Sequence, residues 1–112
     1  MNLGLYVKNS ICTPNVYFLS DRREKQNIKA LDLDATEIIK KVKPVQYEMK
    51  SNPSLPQWGV IAQELQEVLP DAVIPMERLH VDYQMLYITH LKATQELTKR
   101  IDALEKKLAN YE

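Results

Sequence analysis

The longest regular pattern of apolar and polar positions lies in the last quarter of the 112-residue chain. From Gln84 onward no residue breaks a helix, so the pattern predicts one long helix over residues 84–111. Its apolar residues repeat at steps of four and three, as in a coiled-coil seam: Leu97, Ile101, Leu104, Leu108 and Tyr111. This narrow stripe favours a self-associating helix over one packed on its own domain. Mixed Ile and Leu permit three chains as readily as two.

A second set of seam positions precedes the first on the same helix. Its members also step by four and three: Leu86, His90, Ala93 and Leu97. The two sets join through two consecutive steps of four, a stutter that locally unwinds a supercoil. His90 is then a polar residue within the seam, and we expect it to help set the register.

Shorter patterns predict a helix and two strands in the middle of the chain. The helix begins after Asp34, whose carboxylate can cap it with Glu37 three residues on, and it ends before Pro44. Residues 45–49 alternate apolar and polar, as a half-buried strand does. Residues 58–61 form the second strand, which we expect to pair antiparallel with the first.

The remaining elements complete an α+β fold. We predict a loop over residues 51–57, a short helix over 62–69 and a short strand over 72–74. Asp82 is the expected N-cap of the long helix. The fold class is therefore α+β, with a small antiparallel sheet, short helices and a long C-terminal helix.

The first nineteen residues contain two apolar, β-prone runs. Residues 3–8 and 16–19 are predicted as strands, separated by turn-forming residues, and they form either a hairpin or part of a larger sheet. Because residues 3–8 already resemble the inside of a folded element, we expect the chain to be a piece of a longer polypeptide.

Composition excludes several classes of function. Lys plus Arg and Asp plus Glu both number 15, so no net charge favours nucleic acid or an acidic membrane as a partner. No apolar run is long enough to span a bilayer. Cys12 is the single cysteine, and with His80 and His90 it has no metal-ligand spacing. We therefore expect no cofactor, no metal, no nucleic acid and no membrane.

The stretch VYFLSDRREK carries the candidate chemistry. A serine hydroxyl needs a base to become a nucleophile, and a lysine amine can serve in its neutral form. Ser20 and Lys25 are five residues apart, which on a regular helix places them about 140° apart, so they meet only across a turn. Asp21 is a natural turn former. From the spacing alone, a solvated turn after a strand is the favoured interpretation.

Four segments in order give the chain a family resemblance: SDRREKQNIKALD, VKPVQYEM, WGVIAQELQEVLPDAV and VDYQMLYITHLKATQELTKRIDALEKKL. They resemble the intramolecular chaperone auto-processing domain, the S74 peptidase family. That domain is found at the C-terminus of phage tail spikes, tail fibres and neck appendages. A related domain occurs in a membrane-bound transcription factor of myelinating cells. The resemblance begins near Val16 and covers most of the chain.

The resemblance implies a single-turnover serine endopeptidase. Ser20 would be the nucleophile and Lys25 the general base, and the chain would cut itself between Leu19 and Ser20. Asp21 and Arg23 match the same motif and are expected to shape the turn. Residues 1–19 would be the end of the upstream fibre or pre-cleavage strands, and residues 20–112 the chaperone domain.

The resemblance also implies partners and location. The domain would be a homotrimer that folds and trimerises an upstream β-structured fibre or spike of the same polypeptide. It would belong to a virion precursor assembled in the bacterial host cytoplasm, and the released domain would not be retained. Two alternatives remain open. One is a trimerisation and folding domain that does not cut, favoured by the carboxylate of Glu24 beside Lys25. The other is a coiled-coil adaptor unrelated to phage.

Overall fold

The computed structural model describes residues 2–111. Met1, which begins the predicted segment 1–19, and Glu112, which ends the predicted segment 20–112, lie outside the described residues. The chain divides into two compact units, an N-terminal unit up to Asp32 and a C-terminal unit from Leu33 onward. The α+β class is confirmed: a small antiparallel sheet, short helices and a long C-terminal helix are all present.

The N-terminal unit has little regular structure. Its one element within residues 2–32 is a 3₁₀ turn, Arg22–Glu24. The strands predicted over residues 3–8 and 16–19 are wrong for the single chain, because no neighbouring strand pairs with either run among the described residues. The side chains of Val16 to Leu19 are 61 to 88 % exposed. An apolar, β-prone run needs a second strand before it becomes one.

The C-terminal unit contains all the helices and strands. In chain order they are α1 (Ala35–Lys41), β1 (Val45–Met49), β2 (Asn52–Gly59), α2 (Ala62–Val68), β3 (Val73–Ile74), β4 (His80–Val81) and α3 (Tyr83–Asn110). A second 3₁₀ turn, Pro70–Ala72, shortens the predicted strand over 72–74 to the two residues of β3. β3 pairs antiparallel with β4, and β1 with β2.

The β1–β2 hairpin confirms the predicted antiparallel pairing but not the predicted loop. Val45 lies opposite Gly59, and Glu48 lies opposite Pro56, so most of residues 51–57 belong to β2. Proline is tolerated because a two-stranded sheet leaves each strand one free edge, where a missing N–H costs no ladder bond. The register shifts between Glu48 and Met49, close to the turn.

The core lies between α2, the second 3₁₀ turn and β3. Leu65, Leu69, Ala72 and Val73 are buried and in mutual contact. Partly buried side chains from α1 and α3, including Ile38 and Leu86, pack against this cluster, as the apolar stripes of these helices predict. The same packing attaches α3 to the rest of the unit.

Helix α3 has a buried face and an exposed apolar seam. Thr89 and Ala93 are buried on the side that packs against α1. The five C-terminal seam residues are 44 to 91 % exposed: Leu97, Ile101, Leu104, Leu108 and Tyr111. The seam is therefore apolar surface that the single chain leaves in water. Within residues 2–111, no helix is long and apolar enough to cross a membrane.

A polar cluster joins the start of α1 to α3. Asp34 caps α1 locally and accepts from the backbone N–H of Glu37. The second carboxylate belongs to Glu96 on α3, 60 residues further along the chain. It accepts hydrogen bonds from the Thr36 N–H at 2.9 Å and from the Thr36 hydroxyl at 2.6 Å. Lys92 donates to Glu96 at 3.0 Å and to the backbone carbonyl of Leu33. Two free N–H groups of the first turn of α1 are thus satisfied.

We expect Thr36→Val to lower the free energy of unfolding by about 1–3 kcal/mol. The substitution keeps the shape of a buried side chain but removes the hydroxyl that donates to Glu96. Urea unfolding followed by circular dichroism measures the loss. The exposed Thr94, whose hydroxyl bonds only to the carbonyl of His90, provides the matched control Thr94→Val, which should change little. Equal losses in the two variants would contradict a specific role for the Thr36 hydroxyl.

The same cluster predicts a dependence on acid. The Thr36 hydroxyl, followed by Lys92, lowers the pKa of Glu96 from 4.5 to about 2. A carboxyl with a lowered folded pKa adds stability that is complete above its unfolded pKa. This contribution should therefore be lost as the pH falls from about 4.5 to about 2. In Glu96→Gln the unfolding midpoint should fall less steeply over that interval, and an unchanged acid profile would contradict the assignment.

Candidate active site

The turn that carries the candidate chemistry is built by Asp21. Its carboxylate caps the 3₁₀ turn by accepting from the backbone N–H of Arg23 at 2.8 Å. The Glu24 N–H donates to the Asp21 carbonyl at 3.0 Å, and the Lys25 N–H donates to the Arg22 carbonyl at 3.1 Å. These bonds tighten the backbone so that position 25 returns toward position 20.

The side chain of Arg23 braces the same turn. Its Nε lies 3.1 Å from Oδ1 of Asp21, and its Nη2 lies 2.8 Å from Oδ2, a forked geometry suited to a carboxylate. The side-chain hydrogen bonds from Arg23 lower the pKa of Asp21, and the same contact raises the pKa of Arg23. Asp21 is therefore a stable acceptor at neutral pH. Both residues shape the turn and neither touches the serine hydroxyl.

The turn brings the two candidate catalytic side chains together. The Nζ of Lys25 lies 2.7 Å from the Oγ of Ser20. Both residues are exposed to solvent in the single chain. Among residues 2–111, the ion pairs do not include one between Glu24 and Lys25. The amine thus contacts the hydroxyl rather than the adjacent carboxylate.

The bond that precedes the serine is exposed. Leu19 is solvent-exposed, and no strand ladder within the described residues holds its carbonyl, contrary to the expectation that a strand would fix it. The arrangement can transfer a proton between Ser20 and Lys25.

Two short motifs from the third and fourth segments of the family resemblance contact each other in the C-terminal unit. Gly59 opens the motif Gly-Val-Ile-Ala-Gln-Glu, and Tyr83 closes Val-Asp-Tyr. A Cβ atom on Gly59 would lie 2.5 Å from the Tyr83 hydroxyl oxygen and 3.2 Å from a ring carbon of Tyr47. The hydroxyl of Tyr83 also accepts from the Val60 N–H at 3.2 Å. A side chain at position 59 would therefore force the Tyr83 hydroxyl to move away from the backbone.

We expect Gly59→Ala to lower the free energy of unfolding by about 1–3 kcal/mol, because the added methyl displaces Tyr83 from its hydrogen bond. Gly4→Ala is the matched control, because a Cβ there meets nothing within 4 Å. Thermal unfolding of both variants provides the comparison. Adding Tyr83→Phe should recover part of the Gly59→Ala loss. A loss as small as that of Gly4→Ala would contradict the steric explanation.

Glu64, at the end of the second motif, is a feature that sequence reasoning missed. Its Oε2 is buried and has no hydrogen-bond partner among the described residues. It lies beside a small cavity lined in part by Lys41, Lys43 and Leu65. Its place in the motif was the one signal in the sequence. Among residues 2–111, no three His, Cys, Asp or Glu side chains are grouped to hold a metal ion.

Comparisons with known proteins agree with this set of motifs. The family model described as chaperone of endosialidase, peptidase S74, matches residues 20–74. Long tail fiber protein Gp37 of Enterobacteria phage K3 is 33 % identical over 117 residues, which covers 96 % of this chain and 9 % of the relative. Gp37 of Enterobacteria phage T2 gives the same identity and coverage. Myelin gene regulatory factor-like A of Dictyostelium discoideum is 32 % identical over 137 residues, covering 97 % and 14 %.

These matches have two consequences. The chain spans only about a tenth of the length of the curated relatives it matches, so it corresponds to one part of those proteins. The family match begins at Ser20, the residue whose hydroxyl meets Lys25. Residues 20–74 belong to the chaperone-of-endosialidase family, peptidase S74.

Proposed function

We propose that the chain is the intramolecular chaperone of a phage tail or appendage fibre, and that it releases itself by cutting the Leu19–Ser20 bond. Family membership and the tail fibre relatives support the chaperone role. The observation that carries the cut is the 2.7 Å contact between Lys25 Nζ and Ser20 Oγ, across a turn in the family motif. Residues 1–19 remain with the upstream fibre, and residues 20–112 are released.

The proposed reaction uses the two side chains in sequence. Lys25 in its neutral form takes the proton of the Ser20 hydroxyl, and the oxygen attacks the carbonyl carbon of Leu19. The proton then passes to the nitrogen of Ser20, the Leu19–Ser20 amide bond breaks, and an ester joins Leu19 to the serine oxygen. Water hydrolyses this ester, leaving a carboxylate on Leu19 and a free amine on Ser20. Each molecule reacts once.

Assembly is the proposed trigger. Ser20 and Lys25 are exposed to water in the single chain, and a general base must be a neutral amine to accept a proton. Burial in an oligomer removes that water and favours the neutral amine. It also provides the strand partners that residues 16–19 lack, which fixes the Leu19 carbonyl. The cut therefore follows trimerisation.

The proposed assembly is a homotrimer about the seam of α3. The exposed residues of this seam lie on the C-terminal half of α3, beyond Glu96, which still contacts the start of α1. Three copies would bury this apolar surface about a common axis, as in a coiled coil. The cut then removes the chaperone, and the mature fibre is trapped kinetically. Assembly takes place in the host cytoplasm on a virion precursor, and the released domain is not retained.

The mass of the protein purified with its upstream chain tests the proposal. The expected result is two species, one ending at Leu19 and one beginning at Ser20. Hydroxylamine added during the reaction should capture the Leu19 ester as a hydroxamate. An intact polypeptide under all conditions in which the protein is trimeric would contradict the cut.

A second candidate function is a trimerisation and folding domain that does not cut. The exposure of Ser20 and Lys25, together with the carboxylate of Glu24 next to the lysine, favours this alternative. It predicts the same trimer and the same dependence of the fibre on the domain. An intact mass in the presence of a trimer is the result that would support it.

A further inference from the structure

A groove with apolar walls lies where the end of α1, the end of β2 and the first turns of α3 meet. Its volume is about 380 Å³, enough to receive a large side chain. Six of the residues that line it are Ile39, Val42, Pro44, Trp58, Leu86 and His90. Only Trp58 and His90 of these six carry polar side-chain atoms, so the groove offers few groups to orient a polar ligand.

Among the residues that line this groove, Trp58 is unusual because its large apolar ring is exposed. Its side chain is 84 % exposed, although β2 holds it rigidly through pairing opposite Gln46. Leaving an indole ring in water costs free energy that burial would recover. Exposed tryptophans on rigid elements are frequent centres of protein interfaces. Trp58 is therefore placed to contact a protein partner.

The position of the groove indicates which partner it receives. Leu86 and His90 are seam positions of α3, in the same series that continues through Leu97 to the exposed C-terminal seam. A chain that packs along the seam therefore passes the mouth of the groove. A second copy of this chain brings such a seam with it.

We infer that the groove receives a side chain from α3 of a second copy, an inference that rests on the self-association proposed above. In a parallel assembly with rotational symmetry, residues at equal height along α3 face each other. Tyr87 is exposed, lies between Leu86 and His90 in height, and is about 60° from His90 around the helix. Its aromatic ring is the side chain assigned to the groove, packed against Trp58.

Trp58 is the single tryptophan of the chain, so its fluorescence reports directly on the groove. In the assembled protein we expect blue-shifted emission and several-fold slower quenching by acrylamide than in the Ile101→Glu variant, whose seam carries a charge. An assembled protein in which Trp58 is quenched as readily as in Ile101→Glu would overturn the inference and leave the proposed function standing. Failure of the protein to assemble at any concentration would overturn both.

Two adjacent residues provide a matched pair of variants. Tyr87→Ala should weaken association about tenfold, as the loss of a buried aromatic contact does. Ile88→Ala should not change association, because Ile88 is also exposed but lies about 160° from His90 around α3. Sedimentation equilibrium measures both. Equal effects of the two substitutions, or no effect of Tyr87→Ala, would overturn the assignment of Tyr87.

Discussion

We expect replacement of Ser20 with alanine to leave the polypeptide whole, and we expect the unaltered protein to yield a fragment that begins at Ser20. The substitution removes the one oxygen within 2.7 Å of the Lys25 amine. Without that hydroxyl, the proposed base has no proton to remove, and the Leu19–Ser20 bond should remain an ordinary amide. The variant should still fold and assemble, because Ser20 is exposed and its side chain is hydrogen-bonded to Lys25 within the same turn.

Substitutions of Lys25 separate its role as a base from its role as a positive charge. Lys25→Arg keeps a cation but cannot give up a proton, and Lys25→Met keeps the length without the amine. Both should slow the cut by about 10²- to 10⁴-fold, the usual contribution of a positioned base. A time course by mass spectrometry measures the rates.

Nearby residues of the same types serve as controls for the cut. Ser10→Ala and Lys29→Met remove an exposed serine and an exposed lysine of the same unit, and both should cut at the normal rate. Cleavage at the same bond in Ser20→Ala would eliminate the proposed mechanism. An unchanged rate in both Lys25 variants would eliminate lysine as the base.

The second large effect is expected from Ile101→Glu, which should convert the assembly to single chains. Ile101 lies in the middle of the exposed seam of α3, where three carboxylates would meet about the axis. Like charges brought together in a desolvated interface cost several kcal/mol, so association should weaken by about 100-fold or more. Light scattering across a concentration series measures this change.

Ala103→Glu is the matched control for the seam. Ala103 is also exposed on α3 but lies about 160° away from Ile101 around the helix. It should assemble as the unaltered protein does. If the proposal is correct, Ile101→Glu also abolishes the cut while Ala103→Glu does not. Normal cleavage in a strictly single-copy Ile101→Glu protein would show that the dyad needs no neighbour.

Elements with a strong local signal were predictable from the sequence. Asp34 and Asp82 are the N-caps of α1 and α3, as predicted from their side chains. Helix α3 begins and ends one residue earlier than predicted. These features depend on residues within one or two turns of each other. The pairing of β1 with β2 was predictable for the same reason, because the two strands are neighbours in the chain.

Features set by distant residues were not predictable in this way. The capping of α1 by Glu96 joins positions 60 residues apart, and nothing in the local pattern of either helix indicates it. The strands expected over residues 3–8 and 16–19 failed because a strand depends on a partner, which the single chain does not supply. β2 extends through Pro53 and Pro56 because it is paired on one side only, and the preferences of the local residues do not indicate that pairing.

The candidate site lies between these two cases. The five-residue spacing required a turn between Ser20 and Lys25, and the 3₁₀ turn capped by Asp21 meets that requirement. The bracing of Asp21 by Arg23 is local as well. The orientation of the Leu19 carbonyl was expected from a strand that does not form in the single chain. The sequence therefore predicted the contact between Ser20 and Lys25 better than the position of the Leu19–Ser20 bond.

The capping of α1 by a residue of α3 also bears on when the domain can fold during synthesis. Ribosomes release the polypeptide from its amino end at about 5–20 residues per second. The cluster that joins α1 to α3 cannot form until Glu96 and Lys92 have left the ribosome, because both side chains bind residues 33–36. Every residue that precedes this domain has by then been translated. Translation order alone therefore keeps the C-terminal unit from forming before any fibre encoded ahead of it is complete.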